Sequence, residues 1–172
     1  IFVRFLRRRV FSLLNASRLV SEAYCRLSMV TLPPEQLSWA QRMCHRDGRP
    51  NMGTEMLCSS VLYLFRDHAL GGTAFFSENQ GVAPYHTLIS PDGPTPEASD
   101  YDFFRRPAAY HTETNEFFSL RQTVSPRWNR LVIYQGDVPH SGFITNPTRL
   151  SEDPKVGRLT LNGFFRVRKL SH

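Results

Sequence analysis

His45-Arg46-Asp47 sets an imidazole and a carboxylate two residues apart. On extended backbone, side chains at that spacing point to the same side, so both can reach one point in space. His140 lies far along the chain, after an apolar run and the turn Gly136-Asp137-Val138-Pro139, where a neighbouring strand could deliver it to the same point. Two imidazoles and one carboxylate on one face of an ion leave positions open for further ligands, the arrangement in which non-haem Fe(II) meets O2. The triplet is short, and each member has a plain alternative. His45 reads equally as a surface histidine beside Arg42 and Arg46, Asp47 as the opener of an Asp-Gly turn, and His140 as a partner of its own turn. His111-Thr112-Glu113 is a second match to the pattern, placed in an irregular stretch, whereas His68 and His86 have no acid two residues on and read as surface residues.

Elements must position these groups. Apolar Phe2, Phe5, Leu6, Val10, Leu13 and Leu14 recur at three- and four-residue spacing, which predicts an amphipathic helix from Phe2 to about Tyr24 with its arginines in water. Beyond it the texture is strand and turn. Leu27 to Leu32 reads as a strand stopped by Pro33-Pro34. Cys58 to Phe65, Thr73 to Phe76, Phe117 to Val124, Arg130 to Tyr134 and Arg158 to about Arg166 follow as further strands. Residues 77–118 are the least regular part, with the turn Pro91-Asp92-Gly93-Pro94, and a stretch this long without elements is a candidate for selecting substrate. The expectation is one domain over 1–172: helical support in 1–26 and a mainly β core in 27–172 with an irregular insertion at about 77–118.

Composition narrows the classes. Hydrophobic residues are 41% and charged residues 21%, an ordinary globular balance, and no apolar run nears the length that spans a membrane. The net charge of +6 sits mainly at the two ends, in Arg4, Arg7, Arg8 and Arg9 and in Arg166, Arg168 and Lys169, without a base-reading motif. That pattern weighs against nucleic acid as a partner. Cys25, Cys44 and Cys58 contain no C-x-x-C pair, which argues against a disulfide scaffold or a thiolate zinc site and for a reducing, cytoplasmic location. The chain opens on Ile1, as a fragment or a processed product would, and its arginine-cut start reads poorly as a signal peptide, with a transit peptide as the alternative.

Several blocks stand in a telling order. His45-Arg46-Asp47 is followed by Val61-Leu62-Tyr63-Leu64, then Gly71-Gly72-Thr73-Ala74-Phe75-Phe76, then Asn129 to His140, then Gly157-Arg158-Leu159-Thr160-Leu161-Asn162. Together they resemble the prolyl-hydroxylase-like 2-oxoglutarate/Fe(II)-dependent oxygenases, and within that superfamily a family of uncharacterised members, from about Leu27 to Phe165. The resemblance implies a double-stranded β-helix, the jelly-roll or cupin-like fold, with Fe(II) held by His45, Asp47 and His140. It further implies that 2-oxoglutarate chelates the iron as co-substrate with O2, its far carboxylate on Arg158, with Tyr63 and Thr160 beside it. The reaction implied is hydroxylation of a C–H bond coupled to decarboxylation of 2-oxoglutarate. The residues agree: an arginine fork grips a carboxylate in two parallel hydrogen bonds, and Arg158, Thr160 and Asn162 share one strand face while Leu159 and Leu161 turn away. A polar loop at 145–156 departs from the family pattern and makes Arg149 the alternative to Arg158. A catalytically silent jelly-roll binding protein and a metal enzyme of this fold that does not use 2-oxoglutarate stand as the other readings. The substrate is left open among protein side chains, small metabolites, lipids and nucleobases.

Overall fold

The structure is a computed structural model that describes residues 9–20, 23–48 and 53–170. Its regular elements are β-strands, ten among the described residues, all paired antiparallel, with short 3-10 turns between them. The long strand β10 (Arg158–Lys169) organises the larger sheet. On one side it pairs with β2 (Tyr24–Val30) and, near its end, with β1 (Ala16–Leu19). On the other it pairs with β3 (Glu55–Tyr63), beyond which lies β8 (Leu131–Gln135). The smaller sheet runs β7 (Phe118–Val124), β4 (Gly72–Glu78), β9 (His140–Phe143). β5 (Ile89–Ser90) and β6 (Gly93–Pro94) form a separate two-residue hairpin.

Period-two alternation gives the larger sheet two unlike faces. Register sets Phe165 opposite Cys58 and Val167 opposite Met56, and these four are buried with Val10, Phe11 and Ala16 on the back. A fully buried side chain of this size contributes about 1.5–3 kcal/mol, so this cluster fixes the register of the central strand pair. The other face carries Arg158, Thr160 and Asn162 of β10, with Thr160 opposite Tyr63 and Asn162 opposite Val61. Arg158, Thr160, Asn162 and Val61 line a cavity of about 480 Å³ together with Thr73 of the smaller sheet. The polar face with an apolar back, expected for the last strand, is therefore present.

The expected N-terminal helix is not seen among the described residues beyond a helical turn at 9–10. Residues Phe2, Phe5 and Leu6 lie outside the described residues, but 11–15 form turns, Asn15 takes a left-handed φ of 52°, and Ala16–Leu19 is strand. Tyr24, the expected helix end, opens β2. Of the spaced apolar set, Val10 packs beside Phe11 on the back of the sheet. Backbone pairing with the end of β10 then claims the residues after Asn15.

The irregular stretch 77–118 is ordered by aromatic packing. Its 3-10 turns bring Phe103 and Phe104 against Trp39 and Tyr85 against Phe117, with Tyr85 and Phe104 stacked at 5.7 Å. The cluster covers Ala74 and Phe76, the outer face of β4. Asn79 ties its two ends together, its Nδ2 donating to the carbonyls of Asn115 and Glu116 at 3.0 Å each.

Candidate metal centre

The site begins with two backbone hydrogen bonds. His45 N–H donates to the His140 carbonyl and His140 N–H to the His45 carbonyl, both at 2.9 Å, an isolated antiparallel bridge. Directly opposed residues in such a pair send their side chains to the same side, and the two imidazole centroids lie 4.5 Å apart. Asp47, two residues on, joins them: its carboxylate oxygens are 3.5 Å from His45 Nε2 and 3.3 Å from His140 Nε2. Arg46, between them in sequence, points the other way, to the Asp137 carbonyl and to Glu78 at 2.9 Å. One ligand atom from each of His45, Asp47 and His140 falls within 4.8 Å of the others.

The electrostatics suit a cation. His140 Nδ1 lies 2.9 Å from the Val138 carbonyl, which can only accept, so the ring proton sits on Nδ1 and the Nε2 lone pair faces Asp47. A lone pair pointed at a carboxylate is repulsive unless a proton or a metal ion lies between them. Burial pushes the Asp47 carboxyl up, but where protons rather than a metal ion lie between these groups, the hydrogen bonds from His140 and then His45 outweigh it and hold the carboxyl well below the usual carboxylate range. A permanently ionised carboxylate, an imidazole with a fixed tautomer and a second imidazole fit a divalent ion. Cys44, next to His45, is no rival ligand: its thiol is buried in the cluster behind β4 and burial pushes its pKa up.

The same cavity is lined by Arg158, Thr160 and Tyr134 as well as by the three ligand residues. Arg158 is 5% exposed. Its Nε donates to the Gly71 carbonyl at 3.2 Å and its Nη2 to the Gly72 carbonyl at 2.7 Å, and no carboxylate among the described residues pairs with it. Burial pulls its pKa down. Gly71 has φ 81°, and a Cβ on Gly72 would meet the Val124 carbonyl, so the two carbonyls that hold Arg158 come from positions that suit only glycine. Arg149 lies outside the cavity, on the surface with Asp67. Thr160 Oγ1 donates to the Ser28 carbonyl at 3.3 Å. Tyr63 is fully buried with its hydroxyl 2.7 Å from Thr73 Oγ1, and Thr73 rather than Tyr63 lines the cavity. Tyr134 packs edge-on against His140 at 4.6 Å, and burial pushes its phenol up.

His111 and Glu113 do not form a second centre. The His111 ring accepts from a backbone amide, while Glu113 pairs with Arg106 at the surface. His68 and His86 are exposed, as expected. Tyr134 and Tyr110, both of which line the cavity, carried no sequence signal beyond a tyrosine in a strand or a loop.

Fold and site together define a mainly β protein of antiparallel sheets with a His-Asp-His group at a cavity. The chain belongs to DUF6445, a family of unknown function whose match covers residues 1–165. No curated protein matches the sequence. Among solved structures, the crystal structure of EvdMO1 is similar at 15% identity and a TM-score of 0.32, over 98% of this chain and 32% of that one. The chain thus spans about a third of that structure's length. No helix among the described residues is long and apolar enough to cross a membrane.

Proposed function

We propose that this chain is an Fe(II)- and 2-oxoglutarate-dependent dioxygenase that hydroxylates its substrate, with the two facing sheets as a double-stranded β-helix. The observation that carries the reading is one cavity holding both the His45, Asp47 and His140 donors and a buried arginine with no acid partner among the described residues. When bound, iron and 2-oxoglutarate supply the oxidising chemistry, in which O2 and the keto acid yield succinate, CO2 and a hydroxylated substrate. His45, Asp47 and His140 hold the metal on one face and leave the other open. Arg158 fixes the far carboxylate of the co-substrate, and Thr160 and the Tyr63–Thr73 pair shape the wall beside it. Low polarity around Arg158 strengthens that ion pair and keeps bulk water from competing.

One observation favours a metal enzyme of this fold that does not use 2-oxoglutarate: two donors of Arg158 are already engaged by glycine carbonyls. Guanidinium has five N–H donors, so donors remain for a carboxylate. Anaerobic titration with Fe(II) and 2-oxoglutarate tests the proposal. A weak visible charge-transfer band that needs both additions, and is absent in His140→Ala, is expected. A folded wild type with no band would sink it.

A further inference from the structure

We propose that His111 is a positioning residue for this centre, clamping the segment that carries His45 to the strand that carries His140. The proposal rests on the metal reading of His45, Asp47 and His140. It also gives the irregular stretch 77–118 a task that its sequence did not announce.

The need for a clamp follows from the local backbone. Along an extended chain, successive N–H groups point to opposite sides. His45 N–H is spent on His140, so the N–H of Cys44 points away from β9. No third strand among the described residues pairs there, and Cys44 is buried, so its amide needs an acceptor from elsewhere in the protein. His111 Nδ1 supplies it at 2.9 Å. An accepting Nδ1 places the ring proton on Nε2, which lies 3.4 Å from Asn115 Nδ2.

Three attachments converge on this one residue, itself 5% exposed. Its side chain holds Cys44, the residue before His45. Its carbonyl accepts from Ser141 Oγ at 2.6 Å, and Ser141 follows His140. Its ring stacks on Phe76 at 4.3 Å and 23°, and Phe76 N–H donates to the carbonyl of Pro139, the residue before His140. Both histidine ligands are therefore braced through their chain neighbours by a residue that touches neither. Only a flat ring with an in-plane acceptor does all of this: phenylalanine keeps the stack, and asparagine keeps an acceptor near the Nδ1 position.

That division supplies the test. Co(II) binding followed by visible absorbance, and hydrogen exchange of the Cys44 amide, are measured on wild type, His111→Phe and His111→Asn. His111→Phe is expected to bind Co(II) at least about tenfold more weakly, with an altered band, as loss of an outer-shell partner does. Its Cys44 amide is expected to exchange at least about tenfold faster. His111→Asn is expected to stay within about threefold of wild type in both. Wild-type values in a folded His111→Phe, or equal losses in the two variants, would overturn the clamp. If His111→Phe does not fold, Ser141→Ala removes only the bond to the His111 carbonyl, and unchanged Co(II) affinity and Cys44 exchange there overturn it. A wild type that takes up no Co(II) removes the metal reading instead, and Cys44 exchange in the variants then decides the clamp alone.

Discussion

His45 and His140 hold one another through the backbone before any ion is considered, each donating its N–H to the other's carbonyl at 2.9 Å. The imidazoles owe their 4.5 Å separation to that reciprocal pair, which is a property of the main chain. Replacing either side chain should therefore leave the bridge standing, so ligand variants report on the donor set rather than on the fold.

Metal-linked stability follows directly. Mn(II) at a hundred times its dissociation constant should stabilise the wild type by about 2.7 kcal/mol. Asp47→Ala and His140→Ala should show no such gain. Thermal melts with and without Mn(II) read the difference, and equal Mn(II)-induced shifts in wild type and both variants would exclude these ligands.

Arg158 should govern the keto acid and not the metal. Arg158→Met, losing a fork of charge-assisted bonds, is expected to weaken 2-oxoglutarate by about 3 kcal/mol or more, on the order of a hundredfold. Mn(II) affinity should be unchanged. Arg149→Ala, which breaks only a surface pair with Asp67, should alter neither. Calorimetric titration of the three proteins separates these outcomes.

Acid should unfold the protein through His111. Burial pulls its pKa down from 6.5 to about 4. A base depressed in the folded state is protonated first in the unfolded chain, so stability falls as pH drops from about 6.5 to about 4. The slope should be about 1.4 kcal/mol per pH unit in metal-free protein. His111→Phe should flatten it across that window, because no proton is then taken up at this position. Asp47 adds its own loss only further into acid, since its carboxyl is held far below the usual range. Urea melts at stepped pH give both slopes, and parallel curves would count against His111 as the source.

Gly72→Ala should damage the Arg158 seat. Its Cβ would meet the Val124 carbonyl, so β4 and β7 must part locally, at a cost of about 1–3 kcal/mol. Gly81→Ala, with nothing near its Cβ but a φ of 81°, pays only backbone strain and is the comparison in the same urea assay.

The grouping of His45, Asp47 and His140 was legible because its signal is local: His45 and Asp47 share a face by period-two geometry, and Val138-Pro139 favours extended chain into His140. Arg158 was legible for the same reason, as the polar edge of a strand whose alternate residues are apolar. The N-terminal segment misled because its apolar spacing suits one buried turn as well as a long helix, and its pairing partner, the end of β10, is about as far away in sequence as the chain allows. Tyr63 was placed correctly in β3, but its hydroxyl partner Thr73 lies on the other sheet. His111 stood in view only as a rival ligand. Nothing in its neighbours says that its acceptor faces the amide of Cys44, a contact set entirely by tertiary packing.

The three residues of the proposed centre differ in their contact with water: the side chain of His45 is 59% exposed, against 7% for His140 and 15% for Asp47. A centre with one ligand on the outside can load and unload by swinging a single ring, with the sheets undisturbed. In the proposed centre, occupancy would then track the free metal around the protein from moment to moment, and folding and metal loading would be separate events.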